Sequence, residues 1–199
     1  MTSGETVKVD YLLKYNLIGD AGVGKTNLLS RFVYGKFEPE YHCTCGVKFD
    51  LKSFQFRNKT YKIQIWDLAG KDNFSSLTKV YYKNTVCTLF VYDISNRDSF
   101  NNVSTRIEGF KNQTPKTVLI ILVGNKSDLN DRRQVSTEEG QELADKFGIQ
   151  FYETSAKTGD NLNEISIIQL MKSPKKLNKN YYDLGNDTCG IKKNYNYYY

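Results

Sequence analysis

The stretch Gly19-Asp20-Ala21-Gly22-Val23-Gly24-Lys25-Thr26 matches the phosphate-binding pattern G-x-x-x-x-G-K-[ST] at every fixed position. Its glycines let the backbone curl so that several N–H groups face one anion. Lys25 can bring a compact cation to the outer phosphates of a nucleotide, and the hydroxyl of Thr26 can bind the Mg²⁺ that they carry. The stretch therefore predicts a phosphate site with these two side chains at its centre.

The residues on either side of this stretch support the prediction. Residues 11–18 alternate loosely, as a strand does, and Leu28, Leu29, Phe32 and Val33 follow at helical spacing. The loop would therefore open a helix, whose N-terminal N–H groups and dipole favour an anion. A glycine-rich turn without a ligand is the alternative, and the flanking strand and helix argue against it.

Strands and helices alternate along the rest of the chain. The predicted strands are 47–57, 60–66, 88–94, 118–123 and 149–153. A tight turn at Asn58-Lys59 joins the first two, so these two must be antiparallel. The predicted helices are a short one towards Tyr82, 99–111, one that starts at a capping box of Ser136 and Glu139, and one over about 161–172. The pattern predicts an α/β fold with a mostly parallel six-stranded sheet, one antiparallel edge strand and helices on both faces.

The composition indicates three segments. Residues 1–10 are polar, and we expect a flexible N-terminus. Residues 11–172 carry the predicted domain. Residues 173–199 are dominated by Asn, Lys and Tyr and have too few aliphatic side chains to form a core, so we expect a disordered tail.

Charge and cysteine content argue against several classes of protein. The net charge is +6, but much of the excess lies in the tail, and no aromatic–basic stacking motif accompanies it, so we expect no nucleic acid partner. The four cysteines are too scattered for a disulfide scaffold and suggest free thiols in a reducing cytosol. The run His42-Cys43-Thr44-Cys45 cannot supply a closed zinc site by itself.

The sequence also predicts little attachment to membranes. No run approaches the roughly 20 apolar residues of a membrane span, and the N-terminus carries neither a secretory signal nor a glycine for myristoylation. Cys189 lies ten residues from the end and forms no C-a-a-X box. We expect a cytoplasmic, mainly soluble protein whose association with endomembranes is weak or absent.

Five separated motifs resemble those of the Ras superfamily of small GTPases, over roughly residues 11–171. They are Gly19–Thr26, Thr44, Asp67–Gly70, Asn125–Asp128 and Ser155–Lys157. The resemblance implies a P-loop NTPase fold that binds GTP or GDP with Mg²⁺. It also implies that Asp128 accepts hydrogen bonds from the guanine N–H edge, which adenine lacks, and this argues against an ATP-dependent enzyme.

The resemblance implies a role for each matched residue. Thr26, Thr44 and Asp67 would hold the metal, Asp67 through water, and Thr44 and the Gly70 N–H would contact the γ-phosphate. The catalytic set would be Lys25, Thr44, Gly70 and Lys71. Asn125 and Ala156 would fix the base, the stems of Lys126 and Lys157 would cover it, Phe37 would lie beside it, and Tyr41 would lie over the phosphates. The full predicted nucleotide-binding set is Gly19, Asp20, Ala21, Gly22, Val23, Gly24, Lys25, Thr26, Asn27, Phe37, Tyr41, Thr44, Asp67, Gly70, Asn125, Lys126, Asp128, Ser155, Ala156 and Lys157.

Within the superfamily the chain is most similar to the Rab proteins, which act in vesicle trafficking. The similar segments are 45–49, 62–66, 66–74, 81–85 and 90–95. Phe49, Trp66 and Tyr81 correspond to an aromatic trio that Rabs use in binding effectors; ordinary packing between strand and helix is the alternative. The resemblance also implies an exchange factor and a GTPase-activating protein as partners.

Several residues depart from the Rab pattern. Lys71 stands where the family has the Gln that orients the attacking water, Lys48 replaces an acidic residue, and Cys45 replaces an apolar one. Rabs normally end in one or two prenylated cysteines, whereas this sequence ends in tyrosines. We therefore expect a GTP/GDP switch with weak hydrolysis, and the alternative is a GTP-bound interaction platform that does not hydrolyse.

Overall fold

The structure is a computed structural model of the chain, and it describes residues 9–40, 44, 46–56, 58–70, 81–162 and the backbone of 182–183. Some of the predictions lie outside these residues. They concern residues 1–8, the candidate zinc residues, Tyr41, Lys71, the final helix beyond Leu162 and most of the tail.

The described chain forms one mixed sheet with helices packed on it. The strands are β1 (Tyr11–Ile18), β2 (Val47–Phe56), β3 (Lys59–Leu68), β4 (Thr85–Asp93), β5 (Leu119–Asn125) and β6 (Gln150–Thr154). The helices are α1 (Lys25–Tyr34), α2 (Arg97–Gln113) and α3 (Thr137–Phe147), with a 3₁₀ helix at Ser127–Arg132. The strand order is β2-β3-β1-β4-β5-β6, and a two-residue strand β7 (Tyr182–Asp183) pairs antiparallel with β1.

The predicted sheet is confirmed. β1, β3, β4, β5 and β6 are parallel neighbours, whereas β2 pairs antiparallel with β3 at one edge. The tight turn between β2 and β3 contains Asn58 at φ 59°, a left-handed conformation that Asn tolerates better than most residues.

The buried side chains lie on both faces of the sheet because successive strand residues point to opposite sides. In β5, Ile121 and Val123 pack in the cluster that contains Leu28 and Leu29 of α1. Ile120 and Leu122 pack in the other cluster, with side chains of α2 and α3. Helices therefore cover both faces, as predicted. No helix of the described residues is long and apolar enough to cross a membrane.

Beyond shifts of one or two residues at the ends of elements, two local features differ from the sequence prediction. β4 begins at Thr85, three residues before the predicted start at Thr88. Thr85 is buried, and its hydroxyl accepts a hydrogen bond of 2.9 Å from the buried Asn16 side chain, so a polar residue extends the strand. The 3₁₀ helix was not predicted, because six residues are too few to show helical periodicity. The short strand β7 also lies within residues 173–199, the tail that we expect to be disordered.

Candidate functional site

The phosphate-binding stretch connects β1 to α1 at the carboxyl edge of the sheet. Gly24 has φ +95° and precedes α1, and a Cβ atom there would lie 2.4 Å from Asn125 Nδ2. Only glycine fits both constraints. Lys25, the first helical residue, is 6% exposed, and its Nζ donates to the carbonyls of Gly19 (2.8 Å) and Asp20 (2.7 Å). The sequence thus places a buried cation and a helix N-terminus together, an arrangement suited to an anion.

A cavity of about 340 Å³ opens beside this loop. It is built from residues at the carboxyl ends of β1, β3, β5 and β6, where open α/β sheets bind ligands. Its lining includes Ala21, Gly22, Gly24, Lys25, Thr26, Asn27, Phe37, Glu38, Pro39, Glu40, Thr44, Ala69, Gly70, Asn125, Lys126, Asp128, Leu129, Ala156 and Lys157.

Three oxygen-bearing side chains meet at one end of the cavity. The Oγ1 atoms of Thr26 and Thr44 are 2.9 Å apart, and the Thr26 hydroxyl donates to Asp67 Oδ2 at 2.5 Å. Asp67 is fully buried, and its Oδ1 has no hydrogen-bond partner among the described residues. Burial raises the pKa of Asp67, and the hydrogen bond from Thr26 counters part of this rise. Hard oxygen ligands around an incompletely satisfied carboxylate fit Mg²⁺.

Asp128 lies at the other end of the cavity. Its Oδ1 accepts a 2.6 Å hydrogen bond from the Ser155 hydroxyl, and Lys157 Nζ lies 3.9 Å from its Oδ2. The side chain is 14% exposed. A carboxylate held in this way can accept N–H bonds from a planar base in the cavity.

Asn125 connects the two ends of the cavity. Its fully buried side chain donates from Nδ2 to the carbonyl of Val23 in the phosphate loop at 2.8 Å. Its Oδ1 accepts from the Ala156 N–H and the Thr154 hydroxyl, each at 3.3 Å. One amide therefore fixes the phosphate loop and the loop after β6 relative to each other.

Lys126 makes a contact that the sequence did not indicate. It has a left-handed conformation, φ 68°, and its Nζ pairs with Asp93 Oδ2 at 2.6 Å. Arg31 of α1 was also missed. It donates from Nε to the carbonyl of Ala156 (2.8 Å) and from Nη2 to that of Lys157 (2.5 Å).

The structure brings most of the predicted residues together, either in the lining or directly behind it. Those behind the lining are Gly19, Asp20, Val23, Asp67 and Ser155. Tyr41 and Lys71 lie outside the described residues. The sequence reasoning missed Glu38, Pro39, Glu40, Ala69 and Leu129 of the lining. Their positions in the chain could have indicated them: Ala69 lies inside the predicted motif Asp67–Gly70, Leu129 follows Asp128, and residues 38–40 lie between Phe37 and Tyr41.

This fold and cavity define a nucleotide-binding protein of the P-loop class. In sequence, the family model for the Ras family matches residues 14–175, which is most of the chain. The chain belongs to the Ras family. It is thus a small GTPase of the Ras superfamily, a class of switches that bind GTP and GDP, typically with Mg²⁺, and interact with effectors, exchange factors and GTPase-activating proteins.

Proposed function

We propose that this small GTPase is a Rab-type switch that acts in vesicle trafficking. An aromatic cluster of Phe49, Trp66 and Tyr81 carries the proposal. Phe49 and Trp66 face each other across β2 and β3 with stacked rings whose centroids are 5.3 Å apart, and the Tyr81 ring lies 6.1 Å from Trp66. The similarity of the surrounding segments to Rab proteins gives further support.

The exposure of the cluster favours contact with a partner over ordinary packing. The side chain of Phe49 is 46% exposed although it stacks on Trp66. Exposed aromatic side chains are frequent anchors of protein interfaces, because they bury large areas when a partner binds. Lys14 Nζ lies 4.7 Å from the Trp66 ring and adds a cation at the margin of the cluster.

The chain positions this cluster beside the loops that would sense the nucleotide. β2 carries Phe49 and begins three residues after Thr44, whereas Trp66 directly precedes Asp67. We propose that Thr44 and the Gly70 N–H bind the γ-phosphate, so that its loss releases both loops and changes the surface next to the cluster.

Each remaining part of the proposed site has one role. Thr26 and Thr44 would hold Mg²⁺ directly, and Asp67 would hold it through water; the ion would neutralise charge on the outer phosphates. Lys25 and the N-terminus of α1 would bind the phosphates. Asp128 would select guanine.

We further propose that hydrolysis is slow, because Lys71 replaces the glutamine of the family. An ammonium group has three donors and no acceptor, so it can stabilise phosphate charge but cannot accept a hydrogen bond from the attacking water. The same residue favours a second candidate function, a GTP-bound interaction platform that does not hydrolyse GTP.

State-dependent partner capture tests the Rab-type proposal. The protein is loaded with GDP or with a non-hydrolysable GTP analogue, immobilised and exposed to cytosolic extract, and bound proteins are identified by mass spectrometry. We expect proteins of vesicle tethering or transport on the GTP-analogue form only, and their loss with Phe49→Ala. Tyr34→Ala is the matched control, since Tyr34 is an exposed aromatic outside the cluster. Capture that is equal for both nucleotides, or unaffected by Phe49→Ala, would contradict the proposal.

A further inference from the structure

The phosphate loop contains an acidic residue, Asp20, whose carboxylate binds side chains of helix α2. Asp20 Oδ2 accepts a 2.7 Å hydrogen bond from Asn102 Nδ2. Its Oδ1 accepts from Arg106 Nε (3.2 Å) and Nη2 (2.8 Å). A carboxylate in this loop would repel a polyphosphate, and these contacts hold it towards the helix and pair its charge.

Arg106 makes a second contact from the same guanidinium. Its Nη2 also donates to the carbonyl oxygen of Gly70 at 3.0 Å. The Arg106 side chain is only 12% exposed, so water competes weakly for these bonds. One side chain of α2 thus bridges the phosphate loop and the loop that follows β3.

Gly70 itself lies tightly against the phosphate loop. A Cβ atom at this position would be 2.2 Å from the backbone N of Ala21 and 2.4 Å from the carbonyl carbon of Asp20. The Gly70 backbone is therefore held between the phosphate loop and the Arg106 guanidinium.

We propose that Arg106 is a positioning residue for the GTP-bound state, one that fixes the Gly70 backbone where its N–H meets the γ-phosphate. The inference rests on the proposed contact between Gly70 and the γ-phosphate. A preorganised Gly70 loses little conformational freedom when GTP binds, whereas an unrestrained one must be ordered by the nucleotide. GDP lacks the γ-phosphate, so its affinity does not depend on the placement of Gly70.

A residue that only stabilised the fold would weaken the binding of both nucleotides alike. The distinguishing readout is therefore the ratio of GTP-analogue affinity to GDP affinity. Arg97 provides a matched control on the same helix. It forks to the Glu139 carboxylate at 2.6 and 3.0 Å and donates to the carbonyl of Gln134, but it makes these contacts away from the phosphate loop.

The experiment measures both affinities in the presence of Mg²⁺ for the wild-type chain, Arg106→Gln and Arg97→Gln. We expect Arg106→Gln to lower the affinity ratio about tenfold, within the usual range of coupling between sites. Arg97→Gln should leave the ratio unchanged. An unchanged ratio in Arg106→Gln, or the same ratio change in both variants, would overturn the inference.

Two further measurements keep the test decisive. If Arg106→Gln does not unfold cooperatively, Arg106→Lys replaces it, since lysine keeps the charge beside Asp20 but lacks the planar fork. A smaller fall in the ratio, about fivefold, at the low end of the usual coupling between sites, is then expected, and no fall would overturn the inference. Failure of the wild-type chain to bind guanine nucleotides would instead contradict the proposed function, so the two failures are distinguishable.

Discussion

At the scale of single residues, Asp67 is a carboxylate in surroundings that disfavour its charge. Burial raises its pKa, while the hydrogen bond from Thr26 and the charges of Lys25 and Lys48 act in the opposite direction. Lys48 is its register partner on β2 and stands where the Rab pattern has an acidic residue. A divalent cation nearby would favour the ionised carboxylate far more than either lysine does.

The first residue-scale prediction concerns Lys71. Lys71→Gln restores an amide that can accept from the attacking water and donate to the transferring phosphoryl group. We expect single-turnover hydrolysis of bound GTP to become up to about a hundredfold faster, the loss in rate that a misplacement of about 1 Å can cause. Phosphate release measures the rate, and Lys116→Gln, an exposed lysine, is the control. No acceleration would show that Lys71 is not limiting, and the platform candidate would lose its main support.

Base selection gives the second residue-scale prediction. Asp128→Asn removes a charged acceptor and should lower GDP affinity by about a hundredfold, since a hydrogen bond to a charged group is worth up to about 3 kcal/mol. Xanthosine diphosphate should gain affinity because its C2 oxygen can accept from the new amide. Competition with labelled GDP measures both effects. Asp131→Asn alters an exposed residue on the same 3₁₀ helix and should do neither. An equal response of the two variants would refute the assignment.

At the scale of elements, helix α3 shows what a local pattern can and cannot predict. The capping box was predicted from Ser136 and Glu139, and it is confirmed: the Ser136 hydroxyl accepts from the Glu139 N–H, and the Glu139 carboxylate accepts from the Ser136 N–H. The ion pair between Glu139 and Arg97 joins two helices 42 residues apart in the chain, and no local pattern indicates it. Replacing Ser136 with Ala should lower the free energy of unfolding by about 1 kcal/mol.

Glu139 gives a pH-dependent prediction for this element. The bond from Arg97 and the backbone N–H of Ser136 lower the pKa of Glu139 from 4.5 to about 2. The ionised side chain therefore stabilises the fold above about pH 4.5, and this contribution disappears as the pH falls towards 2. Glu139→Gln should be less stable than wild type at pH 7, and the difference should shrink at low pH.

Urea unfolding at several pH values between 7 and 2 measures this difference. Glu142→Gln alters an exposed glutamate of the same helix and serves as the control. A stability difference that stays constant over this range would mean that the ion pair and cap do not depend on the charge of Glu139.

At the scale of the whole molecule, the cavity joins parts of the chain that are far apart in sequence. GDP with Mg²⁺ should therefore stabilise the folded protein as a unit, by about 4 kcal/mol at a free concentration of a thousand times Kd. Thermal melting with GDP and Mg²⁺ should show a large rise in Tm, reduced by EDTA and absent with ATP. An equal rise with ATP would contradict guanine selection.

The sequence predicted those parts of the site that lie within short motifs. Gly24 and Asp128 belong to short motifs whose spacing marks them in the sequence, but the side chains that hold them, Asn125 and Ser155, are distant in the chain. Arg31 reaches a carbonyl 125 residues along the chain, and Arg106 reaches Asp20 across 86 residues. Such contacts depend on how α1 and α2 pack on the sheet. A single sequence shows the apolar face of each helix but not the polar partner that it will meet.

The double attachment of Asn125 has a consequence for how fast a bound nucleotide can leave. Its amide bonds to both the phosphate loop and the loop after β6, so movement of one loop should disturb the other. An exchange factor would therefore not need to displace both loops. Displacement of the loop after β6 alone should weaken the binding of the phosphates and shorten the residence time of the nucleotide.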